Sequence, residues 1–165
     1  MPERRVSARA LFWGAAAVGL AADQLTKWLI YEQTLQSRVV TVIPGFFYLK
    51  AAENQGVVWG LLSSRPALVA ATGIVAGILV VIFYHKFAGP SKLEGLAWGV
   101  ILGGAAGNLI DRLYFNHVRD FIDLHVAGWS WPTFNVADTF ITLGAIYLVV
   151  HYFFLDDDAK SARKV

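Results

Sequence analysis

From Ala67 to Tyr84 the chain reads ALVAATGIVAGILVVIFY, without a single charge. A helix needs roughly 20 apolar residues to cross a hydrocarbon layer about 30 Å thick, so this run restricts the fold more than any other feature. Three other stretches follow the same pattern with interruptions. Val136 to Leu155 carries Asp138 near its start and His151 near its end. Gly95 to Ile110 reaches spanning length by continuing through Asp111 and Arg112. Leu11 to Ile30 is interrupted by Asp23 and Lys27. The expectation is an all-α membrane protein, a single domain over residues 1–165 with four transmembrane helices at about 11–30, 67–85, 95–114 and 136–155. Composition agrees: 56% of residues are hydrophobic and 16% charged, where a soluble domain carries about a quarter charged residues.

A basic start (Arg4, Arg5, Arg9) before an apolar stretch with small residues also fits a cleavable secretory signal. The apolar character resumes at Trp28, Leu29 and Ile30, which favours a retained first helix. Basic residues flank the spans: the three N-terminal arginines, Lys86 and Lys92 between the second and third spans, and Lys160, Arg163 and Lys164 at the end. By the positive-inside tendency these segments, and so both termini, face the cytoplasm. The connections at 31–66 and 113–133 then face outward. The first contains RVVTVIPGFFYLKAAEN, two β-branched and aromatic runs around the turn signal Pro44-Gly45, which predicts a small sheet on the membrane surface. The net charge of +2 sits at these flanks and points to no nucleic-acid partner. With no cysteine, thiol nucleophiles, disulfides and thiolate metal sites are all excluded.

The polar residues within and beside the spans carry the chemistry. Asp23 and Lys27 are four apart and share a helix face, as a local ion pair would. Gly103, Gly104 and Gly107 form a small-residue stripe suited to close helix packing. Asn108 and Arg112 share a face with Gly104, and Asp111 lies beside them; the planar guanidinium of Arg112 is suited to a two-pronged grip on a carboxylate. Asp120, in VRDFIDLH, and Asp138, in FNVADTF, fall at the same outward depth. Each has a plain reading, Asp120 as a solvated loop charge and Asp138 as an acid stabilised by a helix N-terminus. Together they offer something else: neighbouring carboxylates share a proton, giving one base to activate water and one acid to protonate a carbonyl or leaving amine.

Five stretches occur in order: DQLTK at Asp23–Lys27, NQGVVWGLL at Asn54–Leu62, GGAAGNLIDR at Gly103–Arg112, VRDFID at Val118–Asp123 and FNVAD at Phe134–Asp138. On these motifs the chain resembles the lipoprotein signal peptidases (signal peptidase II) over essentially its whole length. The resemblance implies an aspartic endopeptidase with Asp120 and Asp138 as the catalytic pair. It marks Asp23, Lys27, Asn54, Gly56, Asn108, Asp111, Arg112, Asn135 and Ala137 as supporting or lining the site, with no metal and no cofactor. It further implies a prolipoprotein substrate whose cysteine carries diacylglyceryl, cut just before that cysteine at the outer face of the bacterial inner membrane; the expected state is a monomer among membrane lipids. The family's usual Asn-x-Gly-Ala-Ala-Phe-Gly is replaced here by Val57, Val58 and Trp59 after Gly56, larger side chains that bear on pocket shape. The rival readings are a small transporter or channel with intramembrane charges, a metal hydrolase built on His117, Asp120, Asp123 and His125, and a Ser–Lys peptidase using Ser63 or Ser64 with Lys27.

Overall fold

The computed structural model describes residues 2–35, 38–55, 65–89 and 91–155. Helix α1 (Pro2–Thr26) runs on as a π-helical stretch over Lys27–Leu35. Strands β1 (Val39–Ile43) and β2 (Phe47–Asn54) follow, then helices α2 (Pro66–Phe87) and α3 (Lys92–Phe115). Strands β3 (Val118–Val126) and β4 (Trp129–Ser130) lead into α4 (Val136–Val150), which continues as a π-helical turn over His151–Leu155. The molecule is thus mostly helical. Among the described residues three helices, over Ala67–Phe87, Lys92–Phe115 and Val136–Phe154, are long and apolar enough to cross a membrane. Their outward faces are apolar, with Ile74, Ile78, Ile82, Leu143 and Ile146 exposed.

Helix α3 is the hub, packing on α1, α4 and α2. Between helices in lipid no hydrophobic drive favours contact, so close approach depends on small residues. The glycines of α3 divide between two partners. Gly95 and Gly103 face α1, where an added methyl would lie 2.6 Å from the Ala8 carbonyl and 2.5 Å from the Ala16 carbonyl. Gly99 abuts Phe12 and Gly107 abuts Asp23 on the same side. Gly104 faces α4, where a methyl would meet the Ala137 carbonyl at 2.7 Å. Of the stripe read from the sequence, Gly103 and Gly107 therefore belong to a series spaced by four toward α1, and Gly104 alone faces α4.

A buried glutamate ties the helix ends away from the sheet. Glu94 accepts hydrogen bonds from the Gly89 backbone (2.9 Å) and the Tyr152 hydroxyl (2.8 Å), and lies 3.2 Å from His151 Nε2. The ends of α2, α3 and α4 are thereby held together. An apolar core of Phe12, Tyr84, Ile101 and Leu148 lies next to this polar knot, with Phe12 and Tyr84 stacked at 3.9 Å.

The expected strands form. β1 and β2 make an antiparallel hairpin whose turn places Gly45 at φ +77°, a conformation glycine reaches without steric cost. The plain reading of Asp120 as a solvated loop charge does not fit the second connection, which forms a strand. α3 ends at Asn116 in the left-handed region (φ 62°), and the chain enters β3 two residues later. β3 pairs antiparallel with β2, and β4 adds to its other edge. The segment before α4 also clips onto β3, through Ile122 N–H to Phe134 O (2.8 Å) and Phe134 N–H to Ile122 O (3.1 Å). β3 is buried over Val118–Phe121, where the adjacent charges Arg119 and Asp120 break the apolar–polar alternation that Ile122–Val126 keep.

Gly103→Val should lower the melting temperature in detergent by separating α1 from α3. Gly77→Ala, where an added methyl meets nothing within 4 Å, should leave it unchanged or raise it, by up to about 1 kcal/mol of helix propensity. Equal melting of Gly103→Val and the wild type would show that the close crossing is dispensable.

Candidate active site

The polar site begins with Lys27. Its ammonium has three N–H donors and is fully buried, with acceptors at Asp23 Oδ2 (2.8 Å), Asn108 Oδ1 (3.0 Å) and Asp111 Oδ2 (3.1 Å). The ion pair expected between Asp23 and Lys27 is present, and it is one edge of a larger network. Asp23 Oδ1 accepts the Ala137 backbone N–H (3.0 Å), joining α1 to the first turn of α4. Ala137 contributes that backbone donor and a side chain with no exposed surface.

Asp111 is gripped from β3. Arg119 donates to it from its backbone N–H (3.0 Å), from Nε (3.3 Å) and from Nη2 (2.8 Å). Gln24 Nε2 donates to Asp111 Oδ1 (3.1 Å), and Arg119 also reaches Gln24 Oε1 (3.1 Å) and the Glu32 carboxylate. Arg119 thus holds Asp111 with the two-pronged geometry that suits an arginine to a carboxylate. Arg112 donates Nη1 to the Asn108 carbonyl (3.3 Å) on its own helix and lies within electrostatic range of Asp138 and Asp120. Arg119, Gln24 and Glu32 were not singled out from the sequence. Their signal was slight: Arg119 and Gln24 sit inside the quoted VRDFID and DQLTK, where a charged or amide side chain reads equally well as facing solvent.

Asp120 and Asp138 meet through Asn135. Asn135 Nδ2 donates to Asp120 Oδ1 (2.6 Å) and to Asn108 Oδ1 (3.1 Å). Asn135 is also the N-cap of α4: its Oδ1 accepts the Asp138 N–H (3.0 Å), and its own N–H donates to Asp138 Oδ2 (3.2 Å). This reciprocal capping box satisfies two otherwise orphaned backbone donors. The helix-terminus reading of Asp138 thus holds, and the same geometry brings it to Asp120. Asn108 Nδ2 donates to Asp138 Oδ1 (2.8 Å), and Asn54, from the end of β2, donates to Asp120 Oδ2 (3.2 Å).

Asp120 is no solvated loop charge: it is 1% exposed. Burial, followed by repulsion from the Asp138 carboxylate, pushes its carboxyl up to about 7, against the opposing hydrogen bonds from Asn54 and Asn135. A cleft of about 290 Å³ opens beside Asp138, lined by Leu124, Trp131, Phe134, Thr139, Thr142 and Leu143.

Asp123, three residues along β3 from Asp120, points to the opposite face. There it meets His125 Nε2 (3.1 Å), Ser130 Oγ (3.3 Å) and Lys50 (3.9 Å). This separates the members of the metal set considered from the sequence, and no group of three or more potential metal ligands occurs among the described residues. Gly56, with Val57, Val58, Trp59, Ser63 and Ser64, lies outside the described residues.

These features define a class: a helical membrane protein with a water-poor carboxylate site where a small sheet meets its helix ends. The comparisons make it specific. Residues 15–154 match the family described as Signal peptidase (SPase) II. The chain is 36% identical over 151 residues to a lipoprotein signal peptidase of Geobacillus kaustophilus (strain HTA426), covering 92% of this chain and 97% of the relative. It is 33% identical over 150 residues to that of Geobacillus thermodenitrificans (strain NG80-2), covering 91% and 94%. A solved structure described as a bacterial membrane enzyme, determined by the in meso method at 2.3 Å resolution, superposes with a TM-score of 0.77 at 32% identity, covering 88% of both chains. A second, at 1.9 Å resolution, gives 0.75 at 31% identity, covering 86% of this chain and 91% of the other. The chain belongs to the signal peptidase II family.

The position of Asp120 has a consequence for stability. Its carboxyl holds a proton more tightly when folded than when unfolded, so the unfolded chain releases that proton first as pH rises. The folded state therefore loses stability between about pH 4 and pH 7 on account of this group. Asp120→Asn removes the titration. The melting temperature of the variant, relative to wild type, should rise from about pH 5 to about pH 8, whatever the difference at the lower pH. A difference independent of pH would show that Asp120 is not held protonated by the fold.

Proposed function

We propose that this protein is an aspartic endopeptidase that removes the signal peptide from diacylglyceryl-modified prolipoproteins, cutting before the lipidated cysteine, with Asp120 and Asp138 as its catalytic pair. The observation that carries the reading is Asn135, one amide that holds Asp120 and caps the helix at Asp138. In the proposed step Asp138 takes a proton from water while the water oxygen attacks the scissile carbonyl carbon. Asp120, with its carboxyl pushed up to about 7, gives its proton to the carbonyl oxygen. Collapse of the tetrahedral intermediate breaks the C–N bond as the departing amine takes the proton from Asp138 and a hydroxyl of the intermediate returns one to Asp120. Lys27, Asn108, Asp23 and Asp111 hold these groups in place, and the apolar cleft beside Asp138 suits the residues around the cut.

In this reading four helices span a bacterial membrane, both termini are cytoplasmic, and sheet and dyad lie at the outer surface, with the protein a monomer among lipids. The basic flanks and the apolar outer faces of the helices support it. A transporter would need polar residues distributed along the depth of the bundle. The apolar core of Phe12, Tyr84, Ile101 and Leu148 lies instead between the dyad end and the Glu94 end.

With a diacylglyceryl-modified prolipoprotein as substrate, Asp120→Asn and Asp138→Asn should each reduce turnover by at least about a thousandfold, and the double variant should be scarcely worse than either. The turnover–pH profile should be bell-shaped, reporting the pair. Asp123→Asn, on the other face of β3, should retain substantial turnover. Wild-type cleavage by Asp138→Asn would refute the dyad.

Orientation has its own check. A reporter active only outside the cytoplasm, fused after Val165, should be silent; activity there would invert the topology.

A further inference from the structure

We infer that Arg119 is a positioning residue: it fixes the register of β3 on the helix bundle and thereby aims Asp120 at its partners. The inference rests on the dyad reading above and adds a residue that reading does not require.

Side-chain patterning does not fix the register of β3 over Val118–Phe121. In a half-buried strand, alternation of apolar and polar residues does so, because a slip of one residue turns every side chain to the wrong face. Val118, Arg119, Asp120 and Phe121 are all buried, so this stretch has no wet face and no such signal. Pairing with β2 is also interrupted. The register shifts between Leu49 and Ala52, so the Leu49–Ile122 pairing does not dictate the Ala52–Asp120 pairing beyond it. The half of β3 that carries Asp120 needs its own lock.

Arg119 supplies one. A single carboxylate, that of Asp111, accepts both the backbone N–H and the guanidinium of this residue, at 3.0 Å, 3.3 Å and 2.8 Å. A carboxylate that holds main chain and side chain of one residue fixes that residue along the strand as well as its charge. The guanidinium also reaches Gln24 and Glu32 from the α1 side and lies 4.4 Å from the centre of the Phe115 ring at the end of α3. Successive strand residues point to opposite faces. With Arg119 directed into the α1–α3 junction, Asp120 is directed to Asn54 and Asn135. In a slipped register Asp111 would lose its guanidinium and keep the Gln24 amide and one cation, Lys27, which it shares with Asp23. A buried ion pair setting register at some cost in stability is the best-attested use of such pairs.

The plain alternative is that Arg119 merely neutralises Asp111, and three variants separate the two. Arg119→Lys keeps the charge without the fork. Arg119→Met leaves Asp111 underpaired, whereas Arg119→Met with Asp111→Asn leaves neither charge. If Arg119 positions Asp120, Arg119→Lys loses about a hundredfold in kcat with KM little changed, and its pH–rate profile shifts as Asp120 leaves Asn54 and Asn135. The neutral double variant then regains the melting temperature lost in Arg119→Met without regaining kcat. Should Arg119→Met not fold, the other two carry the test. Wild-type kcat and pH profile in Arg119→Lys, or full recovery of kcat in the neutral double variant, would overturn the positioning role. Asp120→Asn is assayed alongside: if it stays active, the dyad reading itself has failed, and if it is inactive while Arg119→Lys is wild-type, only the positioning role has.

Discussion

A single buried ammonium governs the polar half of this molecule. Removing a charge from water costs several kcal/mol even after relaxation, and recovery requires every donor to find an acceptor. Lys27 meets this demand with oxygens from α1 and α3. Those groups in turn reach outward: Asp23 to the backbone of α4, Asp111 to β3, Asn108 to Asp138 and Asn135. Four elements are thus located relative to one cation. In a membrane there is little water to stand in for a missing partner, so the network is satisfied as a whole or strained as a whole.

The network can close only because the helices come near enough. The glycines of α3 set both the distance to α1 and the distance to α4, and at Gly107 the packing surface and the polar site coincide, since Asp23 occupies the space a side chain would need. Packing and chemistry share the same residue spacing along α3. This explains how Gly103, Gly107, Asn108, Asp111 and Arg112 crowd into so short a stretch.

Much of this was legible in the sequence. The apolar runs marked the later three helices to within a few residues, while the first helix begins at Pro2, well before its apolar run, and Pro44-Gly45 marked the hairpin. The spacing of Asp23 and Lys27 announced their pairing, and the order of the motifs announced the family. What the sequence hid was β3. A strand buried on both faces, holding an arginine and two aspartates, resembles a charged loop, because local patterning records contact with solvent and not contact with other buried charges. Arg119 was overlooked for the same reason. Its partners Asp111, Gln24 and Glu32 belong to α3, α1 and the π-helical stretch beyond it, so only the fold brings them together.

The site draws on α1, β2, α3, β3 and the start of α4. Chains are made from the N-terminus onward, so Asn135 and Asp138 are among the last of its members to appear. Until they do, Asp23 lacks the Ala137 N–H and Asp120 lacks both Asn135 and its fellow carboxylate. In the proposed dyad reading a half-inserted molecule therefore holds Asp120 without Asp138, one half of the acid–base pair. On the proposed pairing of Asp120 with Asp138, hydrolytic competence waits for α4, the helix that completes the bundle.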